Sequence, residues 1–391
     1  MLKLIKNAEI YSPEFLGKKD LLIIGNKIGR IADEIKKPDD FYDMEVINGN
    51  GKILAPGFID PHVHITGGGG EGGFSSRTPE IQLTDITRGG VTTVVGCLGT
   101  DSTTRTMSNL LAKARALEED GITTYIYTGS YQFPVRTLTE NIQDDIILID
   151  KIIGVGEFAI SDHRSSQPTF EEIKRVTAEA RVGGILSGKA GIINVHVGDG
   201  KGKVDYLNQI AEQTEISRKQ FLPTHMNRNR NLFEAGISYA KKGGIVDFTT
   251  SLPEEMIDKK GLRSSSALKE SLDAGVPETN ITFSSDGQGS LPAFNEKGEL
   301  IGLDIGKVTS LYNELKVAIK QKGVLLETAL KIITSNTADI LKLENKGRIS
   351  KGKDADLVLL DKDTLDVETV IAVGKIMIRD KEILFKGSFE D

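Results

Sequence analysis

Short apolar segments recur through the middle of the chain, and a polar or glycine-containing turn follows each one. Most are continuous runs of valine, isoleucine, threonine and phenylalanine, a pattern typical of parallel strands that are buried on both faces. The segments occupy residues 57–64, 91–99, 123–132, 154–161, 192–198, 221–226, 244–251 and 281–287. They predict eight strands of a parallel sheet.

Between these segments the spacing of apolar residues changes to three and four, which indicates amphipathic helices. Clear examples are MSNLLAKARALEED, FEEIKRVTAEARVGGIL, VDYLNQIAEQTEI and SSALKESLDAG. A strand followed by a helix, eight times over, predicts an α/β fold, a TIM-like (β/α)8 barrel over residues 57–346. Two doubly wound halves are the alternative arrangement of the same elements.

The two ends of the chain have a different pattern. Residues 1–56 and 347–391 contain short strand patterns separated by turns, such as IGNKIGRIAD and VGKIMIRDKEIL. Neither piece is long enough to close a core by itself. We therefore expect both ends to form one small composite β-sandwich domain beside the barrel.

Composition narrows the class of protein. The 391 residues include 49 basic and 56 acidic side chains, a formal charge of -7, and no basic cluster forms a stripe, so we expect no nucleic-acid partner. No apolar run approaches the roughly 20 residues that span a bilayer, and we expect no membrane partner. The single cysteine, Cys97, cannot form an internal disulfide, and the first residues lack a signal-peptide core. A cytoplasmic enzyme is the expectation.

Four of the five histidines lie at the ends of predicted strands. His62 and His64 alternate on the first strand and so project to the same face, while His196 and His225 end the fifth and sixth strands. Asp286 ends the eighth. Because the carboxyl ends of barrel strands meet at one mouth, these side chains should converge there. Imidazole and carboxylate groups are typical ligands of divalent transition metals, so the sequence predicts a metal site.

A glycine-rich loop, TGGGGEGG, follows His64 and carries one carboxylate, Glu71. It does not match a phosphate-binding loop, because no GK[ST] follows and no helix begins directly after the glycines. The glycines would let the backbone fold over the barrel mouth and aim Glu71 inward.

Longer motifs resemble those of the amidohydrolase superfamily over the full length of the chain, namely APGFIDPHVH, the single histidines on strands five and six, the aspartate on strand eight and GRISKGKDADLVLLD. Within that superfamily, HVHITGGGGEGGFSSRTPE, GCLGTDSTTR, ISDHRSS, PTHMNRN and SSDGQGS resemble the isoaspartyl (β-aspartyl) dipeptidases. The resemblance implies hydrolysis of a small dipeptide by a metal-bridged hydroxide, and two divalent metal ions, usually zinc. The implied ligands are His62, His64 and Asp286 for the more buried ion and His196 and His225 for the second.

The bridging ligand departs from part of this family. Many members use a carbamylated lysine on the fourth strand, but GVGEFAIS contains Glu157 instead, and Lys151 lies six residues earlier in what reads as a helix or its end. A glutamate is shorter, so the backbone must come closer to the metals, and Gly156 could permit this through a local bulge. The rival interpretation makes Glu157 a buried acid in a structural ion pair.

The resemblance also implies roles in catalysis and recognition. Asp286 would take a proton from the hydroxide and pass it to the leaving amine, and the phenol of Tyr131 would donate to the substrate carbonyl or oxyanion. A rim aromatic is the alternative role for Tyr131. The implied substrate contacts are Glu71 with the free ammonium, Thr100 with the same end of the substrate, and Arg164, Arg228 and Ser290 with carboxylates.

Several alternatives remain open at this stage. Both arginines could belong to solvated loops or salt bridges, His163 could be structural or support a metal ligand, and Cys97 is interpreted as a small core residue. A cyclic-amide hydrolase similar to dihydroorotase or dihydropyrimidinase, or an N-acyl amino-acid deacetylase, would use the same chemistry, although neither substrate offers an ammonium to Glu71. A noncatalytic scaffold is the third possibility. Relatives are commonly octameric, which implies a homo-oligomer.

Overall fold

The computed structural model describes residues 2–37, 44–252, 257, 261–294 and 300–390. In chain order its strands are β1 (Leu2–Tyr11), β2 (Phe15–Ile24), β3 (Lys27–Ala32), β4 (Met44–Asn48), β5 (Lys52–Pro56), β6 (Phe58–Val63), β7 (Val91–Gly96), β8 (Thr123–Thr128), β9 (Ile152–Ile160), β10 (Ile192–Val197), β11 (Phe221–Thr224), β12 (Val246–Thr249), β13 (Ile281–Ser284), β14 (Ser290–Phe294), β15 (Leu300–Ile305), β16 (Leu357–Asp361), β17 (Val367–Ala372), β18 (Lys375–Arg379) and β19 (Glu382–Ile383).

The helices lie mainly between the central strands. They are α1 (Leu83–Thr87), α2 (Met107–Asp120), α3 (Ile142–Leu148), α4 (Phe170–Ser187), α5 (Asp205–Gln213), α6 (Arg230–Lys241), α7 (Ser264–Asp273), α8 (Ser310–Lys322), α9 (Leu326–Ile333) and α10 (Ser335–Ile340). Within the described ranges, no helix combines the length and the apolar character needed to cross a bilayer.

Strands β6 to β13 form the predicted barrel. β6 to β11 make one parallel sheet in chain order, and β12 and β13 make a second parallel pair. Two backbone hydrogen bonds join these sheets, from Met226 N to Asp247 O at 3.1 Å and from His64 N to Gly287 O at 2.8 Å. Seven of the eight predicted segments contain one of these strands, and the segment 154–161 overlaps β9, which begins two residues earlier at Ile152. This agreement confirms the (β/α)8 fold class.

Both chain ends contribute to one nine-stranded sheet beside the barrel. Its order is β19, β18, β17, β16, β5, β1, β2 and β3, with β4 also pairing with β1. The sheet has an apolar cluster of its own that combines residues from both ends, including Ile5, Ile10, Leu21, Leu357 and Ile371. Neither end could bury these side chains alone.

Local signals in the sequence explain where several helices begin and end. Thr169 and Glu172 form a reciprocal capping box that starts α4. The pattern predicted α5 as far as residue 216, but the helix ends at Gln213. The reason is Thr214, whose hydroxyl donates to Ile210 O at 2.7 Å and accepts from Ile216 N at 3.1 Å, so that side-chain hydrogen bonds compete with the helix.

Large apolar side chains fill the barrel interior below its mouth. They include Ile59, Val95, Tyr127, Ile153 and Leu222, all almost fully buried. This packed layer forms the floor of the cleft in which the predicted site residues lie, at the carboxyl ends of the strands.

Candidate active site

The four strand-end histidines meet at the barrel mouth. His62 lies on β6, His64 directly follows it, His196 lies on β10 and His225 directly follows β11, and all four are at most 6% exposed. The ring centroids of His62 and His225 are 5.7 Å apart, and those of His196 and His225 are 4.5 Å apart. Imidazoles that are more than 160 residues apart in the chain therefore lie within reach of a shared centre.

Glu157 on β9 lies between the two pairs of histidines and is completely buried. Its Oε1 is 2.8 Å from His196 Nδ1 and 3.3 Å from His225 Nε2. Its Oε2 is 3.4 Å from His62 Nε2 and 3.8 Å from His64 Nε2. Although burial raises the pKa of Glu157, the histidines, His62 above all, hold it well below its ordinary value. One carboxylate oxygen thus faces each pair, as a bridging ligand requires.

A bulge at Gly156 brings Glu157 this close. The pairing between β9 and β10 shifts register between Ile193 and Val195, so Gly156 and Glu157 together lie opposite Asn194. Gly156 has φ +146°, and a Cβ there would lie 2.6 Å from Asn194 O. The backbone can approach its neighbour here only because residue 156 is glycine.

Lys151 lies away from the centre. It occupies the turn between α3 and β9, not the end of a helix as the sequence suggested, because α3 stops at Leu148. Its ammonium forms an ion pair with Glu118 and donates to Thr124 O at 3.1 Å. Lys151 is therefore committed to contacts outside the histidine cluster.

Asp286 closes the cluster from the loop after β13. Its Oδ1 lies 3.1 Å from His64 Nε2 and 3.6 Å from His62 Nε2. Burial raises the pKa of Asp286, but contact with His64 lowers it far below its ordinary value, so the side chain is an anion. The backbone of Asp286 has φ +54°, in the left-handed region. Residues other than glycine rarely adopt this backbone conformation, and those that do cluster at functional sites.

Three buried atoms at the centre have no hydrogen-bond partner in the described part of the chain. They are His62 Nε2, Glu157 Oε2 and Asp286 Oδ1. Buried polar atoms are normally paired. The two carboxylate oxygens lie 3.1–3.8 Å from the Nε2 atoms of the first two histidines, which is close to the separation expected between ligands that are each about 2.0–2.2 Å from one zinc ion. The ligand atoms of Glu157, His196 and His225 also lie within 4.8 Å of one another. The donor set fits metal binding on both sides of Glu157.

Residues that the sequence reasoning missed hold the outer nitrogens of three histidines. Such contacts orient metal-binding imidazoles and fix which nitrogen faces the metal. Cys97 packs with the apolar side chains that form the floor of the cleft, as expected for a small core residue. Its thiol also faces a histidine. The contacts are His62 Nδ1 to Asn194 Oδ1 at 3.0 Å, His225 Nδ1 to Thr249 Oγ1 at 2.6 Å and His64 Nδ1 to Cys97 Sγ at 3.7 Å.

Asp162 contacts the fourth histidine. Its Oδ2 is 2.8 Å from His196 Nε2, and the guanidinium of Arg164 donates to both of its oxygens at 2.9 and 3.0 Å. The sequence allows a supporting role for His163, but the side chain of His163 is 91% exposed and contacts none of the four histidines. The supporting residue is its neighbour, Asp162.

The glycine-rich loop positions Glu71 at the edge of the mouth. Glu71 Oε1 accepts a hydrogen bond from Thr100 Oγ1 at 2.7 Å and from Arg164 Nη1 at 3.3 Å. The loop also runs close to the loop after β13, since a Cβ at Gly69 would lie 2.8 Å from Ser290 Cβ. The structure thus brings Glu71, Thr100 and Arg164 into contact and places Ser290 beside the same loop.

Tyr131 lies inside the mouth and is 5% exposed. Its hydroxyl is 2.7 Å from His196 Nδ1, and its ring faces the guanidinium of Arg164 at 5.3 Å. Burial raises the pKa of Tyr131 well above its ordinary value, so the phenol keeps its proton at neutral pH. It is therefore available as a hydrogen-bond donor and is not a rim aromatic.

A cavity of about 720 Å³ opens beside the histidine cluster. Arg164 and Arg228 both line it, together with Asp199, Lys201 and Tyr206. Arg228 Nε is buried without a hydrogen-bond partner among the described residues. This wall of the cavity therefore offers two guanidinium groups to an anionic ligand.

Comparison with known proteins identifies the family. A family profile described as "Amidohydrolase family" matches residues 53–378. The β-aspartyl dipeptidase of Fervidobacterium islandicum AW-1, solved with a β-Asp-Leu dipeptide, is 50% identical, covers 98% of this chain and 97% of its own, and has a TM-score of 0.92. A second structure of the dipeptidase from that organism is 48% identical, covers 98% of both chains and has a TM-score of 0.89.

Curated sequences show a weaker likeness to a different enzyme of the family. A dihydroorotase of Listeria monocytogenes serotype 4a is 23% identical, over 95% of this chain and 92% of its own length. The identity to the two solved dipeptidases is about twice as high over a similar share of the chain. The chain belongs to the amidohydrolase family, and over nearly its whole length it is similar to the two solved β-aspartyl dipeptidase structures.

Proposed function

We propose that this protein hydrolyses β-aspartyl (isoaspartyl) dipeptides with two bound divalent metal ions, zinc being the first candidate. The observation that carries the proposal is the position of Glu71, a carboxylate at the edge of the mouth beside the hydroxyl of Thr100. The 50% identity to a dipeptidase solved with β-Asp-Leu supports it.

The charges around the mouth match such a substrate. A β-aspartyl dipeptide has a free ammonium beside a free carboxylate, and its peptide bond leaves from the side-chain carbonyl. Glu71 would accept hydrogen bonds from the ammonium, while Arg164 and Arg228 would bind carboxylates through their planar donor groups. Ser290, beside the glycine-rich loop, would donate a further hydrogen bond to a carboxylate.

Metal ions would be held by His62, His64 and Asp286 on one side of Glu157 and by His196 and His225 on the other. When bound, they would lower the pKa of a shared water and polarise the scissile carbonyl. Asp286 would accept the proton of the attacking water on its carboxylate and deliver it to the leaving amine. Tyr131, protonated and buried, would donate to the oxyanion as negative charge develops there.

The alternatives explain less of this arrangement. A cyclic amide, the substrate of the more distant dihydroorotases, has no ammonium for Glu71, and neither has an N-acylated amino acid. A noncatalytic scaffold would not need six metal-binding side chains brought together around unpartnered buried atoms. The β-aspartyl dipeptide uses both the anionic and the cationic groups of the mouth.

A substrate panel tests the proposal. We expect the zinc-loaded protein to hydrolyse β-Asp-Leu with a kcat/KM at least about 100-fold higher than for α-Asp-Leu, dihydroorotate or an N-acetylated amino acid. Only the β-linked dipeptide carries the ammonium and a free carboxylate on one carbon, one methylene away from the scissile carbonyl. Chromatography of each compound's own hydrolysis product gives the rates: leucine from the two dipeptides, carbamoyl aspartate from dihydroorotate and the free amino acid from the N-acetylated compound. A preference for any other member of the panel would refute the substrate assignment.

The variant Glu71→Gln tests whether Glu71 binds the ammonium of the substrate. Losing a hydrogen bond to a charged group costs about 1.5–3 kcal/mol, so kcat/KM for β-Asp-Leu should fall by roughly 10- to 100-fold. Glu80→Gln is the matched control, since Glu80 is a glutamate close in sequence that contacts Asn109 and Lys113 instead. Equal kinetics for the two variants would remove Glu71 from substrate recognition.

A further inference from the structure

We propose that Asp162 is a positioning residue that fixes His196 in the tautomer whose Nδ1 binds the second metal ion, and that Arg164 links this carboxylate to substrate recognition. The first part rests on the metal centre of the proposed function but not on its substrate. Asp162 was not among the candidate residues that the sequence indicated.

His196 is oriented opposite to the other three histidines. His62, His64 and His225 direct Nε2 toward Glu157 and use Nδ1 for an outer contact. His196 directs Nδ1 toward Glu157 at 2.8 Å and uses Nε2 for its outer contact, with Asp162 Oδ2 at 2.8 Å. Its metal-binding atom must therefore be Nδ1.

Asp162 is suited to one tautomer of metal-bound His196. A neutral imidazole carries one proton, and an ionised carboxylate can only accept hydrogen bonds. Nδ1 also lies 2.7 Å from the Tyr131 hydroxyl, and Nε2 lies 3.2 Å from Arg164 Nη2. A metal ion on Nδ1 would use the lone pair of that nitrogen, so the proton would then lie on Nε2, where Asp162 accepts it. Arg164 donates to both oxygens of Asp162 and so holds the carboxylate in place, with its Nε and Nη2 atoms.

The same guanidinium also reaches the substrate-recognition loop. Nη1 of Arg164 lies 3.3 Å from Glu71 Oε1, the group assigned to the substrate ammonium. Arg164 therefore contacts both the orienting partner of a metal ligand and the predicted ammonium site. If a ligand draws Arg164 or Glu71 away, it changes the surroundings of Asp162, so dipeptide affinity and metal affinity should be coupled, and such coupling is reciprocal.

Asp162→Asn is the direct test. An asparagine can turn its NH2 toward Nε2 and thereby favour the tautomer with its proton on Nδ1. We expect the affinity for the second zinc ion to fall about 10- to 100-fold, as for other partners of metal-binding histidines, while the first ion is retained. Competition with a chelator measures both affinities, and the rise in melting temperature on adding zinc measures them independently.

Asp199→Asn is the matched control. Asp199 lines the same cavity but pairs with Asn229, at 2.9 Å, rather than with a histidine. Wild-type affinity for both zinc ions is expected in this variant. The proposal is overturned if Asp162→Asn binds the second ion as tightly as wild type, or if both substitutions weaken it equally.

A crystal structure of the zinc-loaded wild-type protein shows which nitrogen of His196 binds zinc, even if Asp162→Asn fails to fold. We expect zinc on Nδ1 of His196 with Asp162 hydrogen-bonded to Nε2. Zinc on Nε2 would overturn the proposal. Neither this structure nor the zinc affinities depend on hydrolysis, so the result stands apart from the substrate assignment.

Discussion

Glu157→Ala is expected to abolish binding of both zinc ions and, with it, hydrolysis of β-Asp-Leu. The two oxygens of Glu157 face different histidine pairs at 2.8–3.8 Å, so one substitution removes a ligand from each side. It also leaves four buried imidazoles without the anion between them, and breaking buried charge pairs costs about 3–5 kcal/mol. Elemental analysis of the purified variant should find less than a tenth of the wild-type zinc.

Lys151→Ala is the control for this result. Lys151 is the lysine six residues before Glu157, and it pairs with Glu118 and Thr124 rather than with the histidines. We expect this variant to retain both zinc ions and most of its activity, although the loss of a buried contact should lower its melting temperature. Equal loss of zinc in the two variants would show that Glu157 is not the bridge.

Asp286→Asn is expected to reduce kcat for β-Asp-Leu by about 10²- to 10⁴-fold, the range typical of a lost general acid–base. The pKa of Asp286 lies far below neutrality, so wild type presents an anion that can accept a proton, which a carboxamide cannot. A carboxamide oxygen can still face His62 and His64. We therefore expect the loss in kcat to exceed the loss in zinc content when both are measured on one sample.

Asp273→Asn controls for the removal of one negative charge. Asp273 pairs with Lys269 on the exposed side of α7 and should leave both zinc content and kcat unchanged. Full zinc occupancy together with near-wild-type turnover in Asp286→Asn would mean that another group moves the proton. In that case the assigned role of Asp286 is wrong.

Much of the fold could be predicted because the barrel strands are buried on both faces and so form continuous apolar runs. The strand-end histidines could be placed for the same reason, since a barrel gathers the ends of its strands at one mouth. The end of α5 could not be read from apolar spacing, because the hydroxyl of Thr214 competes with the helix.

The residues that orient the histidines could not be predicted from the sequence. Asn194 and Thr249 lie on strands other than those of the histidines they contact, so no local spacing connects each pair. Asp162 stands only two residues before Arg164, yet its role depends on how the loop after β9 turns toward β10. That loop exposes His163 and buries Asp162, an outcome that tertiary packing decides.

Arg164 contacts more groups in the structure than its sequence motif indicates. The sequence indicated either a carboxylate-binding arginine that faces the substrate or an arginine of a solvated loop or salt bridge. In the structure one edge of its guanidinium, formed by Nε and Nη2, binds Asp162, and the remaining amino group, Nη1, faces Glu71. Substrate binding at Arg164 would therefore exchange one set of ion pairs for another.

Side chains from five strands and the loops that follow them are expected to bind two metal ions, one on either side of Glu157. Anomalous diffraction at the zinc absorption edge, from crystals of the zinc-loaded protein, tests this expectation most directly. We predict two zinc peaks per chain, one among His62, His64 and Asp286 and the other beside His196 and His225. A single peak, no peak, or zinc bound elsewhere would contradict the account.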